Sequence, residues 1–194
     1  MAVGTTRPSA RERLLAAADE LFYREGIHVV GIDRVIEHAG VAKATLYNSF
    51  GSKDELVRAY LQARHATIEK RITNGLTAYA TPREKILGVF DIQGARFAEP
   101  DFRGCPFVSA TAEAASTGTA AVSAAQAYRA WVRGLFTDLA TRAGAANPDS
   151  VGHQLLMIYD GVAITARLDG NPRAGLAAGR ALASTLLDGV LGPA

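Results

Sequence analysis

At 194 residues and 48% hydrophobic content, the chain is long enough to bury a core, and its net charge of +2 is too small to mark a nucleic-acid binder by bulk charge. Its one cysteine, Cys105, excludes an intramolecular disulfide. No run approaches about 18 apolar residues, and Met1 to Pro8 lack the apolar stretch of a signal peptide, so the expectation is a cytoplasmic protein without a membrane partner.

The first helix is predicted to open at Ser9, where Ser9-x-x-Glu12 fits a capping box, and to bury Leu14, Ala17, Leu21 and Phe22 before stopping at Gly26. Residues 31–53, GIDRVIEHAGVAKATLYNSFGSK, then read as a helix, a tight turn and a second short helix. Ile32, Val35, Ile36 and Ala39 recur at helical spacing, Gly40 suits a left-handed turn residue, and Leu46 and Phe50 continue four apart. With those two facing inward, Lys43, Ala44, Thr45, Tyr47 and Asn48 are left on the outer faces, a small and hydrogen-bonding surface of the kind a recognition helix needs.

The next helix is capped by Ser52-x-x-Glu55 and is expected to run to about Ile72, bridging the N-terminal helices and the remainder. Further helices are predicted over Pro82 to Ala98, Phe102 to Ala115, Thr119 to Ala143, Pro148 to Leu168 and Pro172 to Val190. Pro82, Pro148 and Pro172 each follow a capping residue, Thr81, Asn147 and Asn171, and so suit the first helical position. Alternating β-branched runs between hairpin turns are missing, which makes the chain all-α with about nine helices. His28, His38, His65 and His153 are scattered, and no metal spacing, Gly-rich phosphate loop or nucleophile motif appears. The expectation is therefore a protein that is not an enzyme and uses no cofactor or metal.

Ala39-Gly40-Val41, Thr45-Leu46-Tyr47, Phe50, Ser52-Lys53 and Leu56, with the upstream helix and the Gly26-Ile27 break, resemble the DNA-binding domain of TetR-family transcriptional regulators over about residues 10–60. The resemblance implies an N-terminal three-helix head, residues 1–51, joined to a larger helical domain, residues 52–194, that binds a ligand and dimerises. By position in the motif, Lys43, Ala44, Thr45, Tyr47 and Asn48 would meet the major groove and its flanking phosphates. Lys53 would contact phosphate from the next helix start, and Gly31 would expose bare backbone amides. Asp33, near Gly31, suits the helix dipole but would repel a phosphate. Residues 1–55 hold seven Lys/Arg against eight Asp/Glu, so placement rather than bulk charge has to serve DNA binding.

The same resemblance implies a homodimer on a palindromic double-stranded operator, released by a small effector. Val151, Leu155, Ile158 and Val162 on one helix and Leu176, Leu182 and Leu186 on the next form stripes suited to the dimer interface. Phe90, Gln93, Phe97, Phe107, Tyr128, Trp131, Met157 and Tyr159 are the candidate pocket lining, which suits a mostly apolar effector. A ligand-independent DNA-binding or architectural regulator, or an activator of the same fold, is the alternative.

Overall fold

The structure, a computed structural model, describes residues 8–97, 99–113 and 119–191. Among these residues there are nine α-helices, one short 3-10 turn and no strand. In chain order the helices are α1 (Ala10–Glu25), α2 (Ile32–Ala39), α3 (Lys43–Phe50), α4 (Lys53–Gly75), α5 (Pro82–Phe97), α6 (Pro106–Glu113), α7 (Thr119–Arg142), α8 (Pro148–Leu168) and α9 (Pro172–Leu191). None of the described helices is long and apolar enough to cross a membrane.

The starts follow local chemistry. Ser9 Oγ accepts from the Glu12 amide while Glu12 accepts from the Ser9 amide, and Thr81 and Glu84 repeat the arrangement. Asn147 and Asn171 cap α8 and α9 through their side-chain oxygens, each just before the proline that opens the helix. α6 departs from expectation: it begins at Pro106 rather than Phe102, because Gly104 takes φ +95° and Pro106 suits a first helical residue. The predicted helix ends at Ala98 and Ala115 lie outside the described residues.

The chain divides into two compact units. The first gathers the described residues of 1–64 and of 106–125, and so joins α1 to α3 and the start of α4 to α6 and the start of α7. Its core is built on Leu14, Ala18, Leu21, Phe22, Val30, Val35, Leu46, Leu56, Tyr60 and Leu61, each at most 3% exposed. At that burial each large apolar side chain contributes about 1.5–3 kcal/mol before the cost of ordering it. Arg64 binds Asp19 through Nη2 at 2.9 Å and stacks 4.0 Å from the Tyr23 ring, tying α4 to α1.

The second unit takes the remainder of α4, then α5, most of α7, α8 and α9. Here α5 packs on both α8 and α9, and α8 and α9 pack on each other. Close approach has a cause in missing side chains: a Cβ at Gly179 would collide with Val162, and one at Gly94 with Leu176. Phe90, Phe136 and Tyr159 form the aromatic centre, with Phe90 and Phe136 stacked at 5.7 Å between centroids.

Candidate nucleic-acid interface

α2 and α3 are set by one turn. Gly40 lies at φ +60°, ψ +49°, and its amide closes α2 onto the Glu37 and Ile36 carbonyls. That left-handed state costs glycine little and other residues about 1–2 kcal/mol. Arg13 steadies the same corner from α1, its Nε donating to the Ala39 carbonyl at 3.2 Å. Val35 and Ala39 on α2 and Leu46 and Phe50 on α3 point into the core. Phe50 is also faced by the Arg11 guanidinium, 4.8 Å from its ring, so part of the N-terminal basic segment serves packing.

With those anchors buried, the outer side of α3 is left open. Lys43, Ala44, Tyr47 and Asn48 are exposed and Thr45 is half-buried. Ala42, at the N-cap, supplies no side-chain hydrogen bond, and neither does Gly31 at the start of α2. Each of these starts therefore keeps backbone amide donors without a side-chain cap. Chemically the surface offers an ammonium, a phenol, a carboxamide and a hydroxyl to a polyanion with hydrogen-bonding edges.

Two charged residues of this region already hold partners within the fold. Lys53 does not extend outward: its Nζ donates to the Ile27 carbonyl at 2.7 Å and lies 6.0 Å from the Phe22 ring, and burial holds its pKa below the usual lysine value. With one N–H given to the Ile27 carbonyl, the Lys53 ammonium keeps two further donors. Lys43 is exposed but already engaged, since its Nζ binds Asp33 Oδ1 at 2.9 Å, and this bond raises its pKa. A pairing across ten residues between two helices has no signature in helical periodicity.

Glu113 of α6 is another residue that sequence reasoning passed over. It accepts a hydrogen bond from the His28 amide at 2.7 Å, and the bare Cα of Gly26, at φ +101°, leaves room for its carboxylate. No local pattern connects positions 85 apart.

The candidate pocket and dimer residues separate into distinct places. Phe90, Phe97, Tyr128 and Tyr159 are all under 5% exposed, and the Tyr128 and Tyr159 hydroxyls bond each other at 2.7 Å. Desolvation pushes both phenol pKa values up. Trp131 packs beside Tyr128 and His65, while Gln93 accepts from Arg71 at 2.7 Å. Phe107 lies on α6 in the first unit, and Met157 is 64% exposed on α8. Helical spacing does not place Met157 because α8 carries apolar residues around most of its circumference.

Of the stripe residues, Val151, Leu155 and Val162 are buried within their own unit, Ile158, Leu176 and Leu186 are half-buried, and Leu182 is 57% exposed. The first three turn inward because they fill the side of α8 that meets the core. Ile158, Leu182 and Leu186 border an apolar groove of about 580 Å³ between α8 and α9, to which Met157 and Gly161 also contribute, whereas Leu176 lies against Gly94 of α5.

Comparison with known proteins fits this geometry. The profile described as "Bacterial regulatory proteins, tetR family" matches residues 14–60, which hold the whole of α2 and α3. The solved structure of SCO4454, a TetR-family transcriptional regulator from Streptomyces coelicolor, is 32% identical and superposes with a TM-score of 0.86 over 94% of this chain and 96% of that one. Among curated proteins, the HTH-type transcriptional activator FasR of Mycolicibacterium smegmatis is 35% identical over 80 residues, or 41% of this chain and 36% of FasR. The HTH-type transcriptional repressor NemR of Escherichia coli is 28% identical over 110 residues, 56% of this chain and 55% of NemR. The chain thus spans about a third and about half the length of these two curated relatives.

Proposed function

Because the chain belongs to the TetR family of bacterial regulatory proteins, we propose that it is a homodimeric, ligand-responsive transcriptional repressor acting on a palindromic operator in the cytoplasm. The observation that carries the reading is the outward face of α3, where Lys43, Tyr47 and Asn48 stand exposed on a helix anchored by buried Leu46 and Phe50. Residues 1–51 supply the reading head and residues 52–194 the sensing and dimerising body. NemR, a repressor by name, supports repression, and FasR, an activator by name, marks activation as the alternative outcome at the same site. The relatives named above are transcriptional regulators rather than enzymes, and no catalytic role is assigned.

For the dimer, support comes from α8 and α9. Met157, Ile164, Leu168 and Leu182 are between 44% and 74% exposed, an apolar cost that a second copy would remove. Gly161 has open space where a Cβ would stand, which allows another helix to approach closely. Two heads are also what a palindromic site requires.

For the effector, support comes from the aromatic cluster with its few polar atoms: the paired Tyr128 and Tyr159 hydroxyls and the Gln93–Arg71 hydrogen bond. An apolar molecule with one or two hydrogen-bonding groups would suit it. The close mutual packing of Phe90, Phe136 and Tyr159 favours the second reading, a ligand-independent regulator. Gel shifts on the intergenic DNA upstream of the gene test the central reading: the wild-type chain retards it, and Lys43→Ala and Tyr47→Ala weaken retardation at least tenfold, about 1.4 kcal/mol. Undiminished binding by both variants would remove α3 as the reading helix.

A further inference from the structure

The basic side chains of the N-terminal helices are largely committed to carboxylates. Arg24 pairs with Glu20 and Glu25, Arg34 with Glu25, Arg58 with Glu55 and Arg64 with Asp19. Those pairs flank or brace the helices, whereas one lies on the reading surface itself. Lys43 Nζ binds Asp33 Oδ1 at 2.9 Å with 62% of the lysine and 82% of the aspartate side chain exposed. Neither group is held there by burial, so the pair persists on its own electrostatics and opens when a better partner is offered.

We propose that Asp33 is a specificity-determining residue, whose carboxylate keeps Lys43 as an oriented hydrogen-bond donor and denies it to the phosphates of unselected DNA. This rests on the reading of α3 as the DNA-contacting helix.

Arbitrary and matched duplexes need different things from Lys43. Binding to an arbitrary duplex is nearly all phosphate neutralisation and counterion release, and a cation shared with a carboxylate releases little. Breaking the pair to reach a phosphate also brings the Asp33 charge close to that phosphate, because Asp33 stands in the first turn of α2 beside the uncapped Gly31 start. Binding to a matched sequence depends instead on directed donors. An ammonium has three N–H groups, and with one given to Asp33 two remain to meet guanine O6 or N7, or a flanking phosphate, from a fixed position. Asp33 therefore costs an arbitrary duplex more than it costs the matched one, and the difference is selectivity.

The test uses the full chain and starts from a random DNA pool, so the operator sequence need not be in hand. A duplex is selected from that pool by the wild-type protein, and its affinity is compared with that of a mixed-sequence duplex across a salt series. The proteins are wild type, Asp33→Asn, Lys43→Gln and the double variant. Asp33→Asn keeps an acceptor oxygen and removes the charge, at an exposed position where folding is not at stake. It is expected to raise mixed-sequence affinity about fivefold at low salt, and to steepen the slope of log K on log salt by about 0.9 per head. Affinity for the selected duplex rises less, so the ratio between the two duplexes falls. In the Lys43→Gln background the same substitution should leave the slope where it was. An unchanged slope and ratio in Asp33→Asn would overturn the proposal, and so would an equal change with or without Lys43, since Asp33 would then act by charge alone. If the wild-type chain enriches no sequence, the DNA reading fails first, and that failure is visible in the wild-type arm.

Discussion

At the scale of single residues, the interface is decided by which polar groups the fold has already used. Lys53 matches the family motif yet donates to the Ile27 carbonyl 26 residues away. That bond, together with the Phe22 face, makes it a clamp on the connection between α1 and α2. Lys53→Ala is expected to lower stability by about 1 kcal/mol, less than the roughly 1.5–3 kcal/mol of a hydrogen bond to a charged group because the site is partly solvated. Urea titration of the variant checks this, with the midpoint falling and the slope unchanged. The buried anchors were legible from spacing alone: Val35, Ala39, Leu46 and Phe50 all face the core as their periodicity requires. The partners of Lys53, Lys43 and Glu113 were not legible, since a contact made by a side-chain tip with another helix or a distant amide leaves no trace in local pattern.

At the scale of elements, helix starts were the most legible feature. Ser9, Ser52, Thr81, Asn147 and Asn171 each accept an amide hydrogen bond in the first turn they precede. The turn between α2 and α3 rests on Gly40 at φ +60°, with open space beside it, so a substitution there meets backbone strain and no clash. Gly40→Ala should therefore cost about 1–2 kcal/mol, read as a fall in melting temperature without loss of helix content by circular dichroism. Helix orientation was less legible where both sides of an element are apolar. α8 carries Leu155 and Val162 inward and Met157 and Ile164 outward, and a count of apolar positions cannot tell a helix's own core from the face it offers to another chain.

At the scale of the whole molecule, two questions go beyond any one helix: whether the chain pairs with itself, and whether the pair reads DNA. The exposed rim of the α8–α9 groove gives the first a direct handle. Leu182→Glu places a charge on a residue 57% exposed, so it spares the fold while penalising burial against a second copy. Sedimentation should find the wild type as a dimer and the variant shifted to monomer. The all-α architecture was legible from capping boxes, proline positions and missing strand signals. The contact of Glu113 with the His28 amide, within the unit that gathers the described residues of 1–64 and 106–125, was not legible, because it joins positions far apart in the chain. The second question is met most directly by footprinting the DNA upstream of the gene with wild type and Tyr47→Ala side by side. Wild type should protect two symmetric segments about one helical turn apart, and Tyr47→Ala at equal concentration should protect neither. No protection by wild type, or the same protection by the variant, would contradict the assignment of α3 as the reading helix of a dimer.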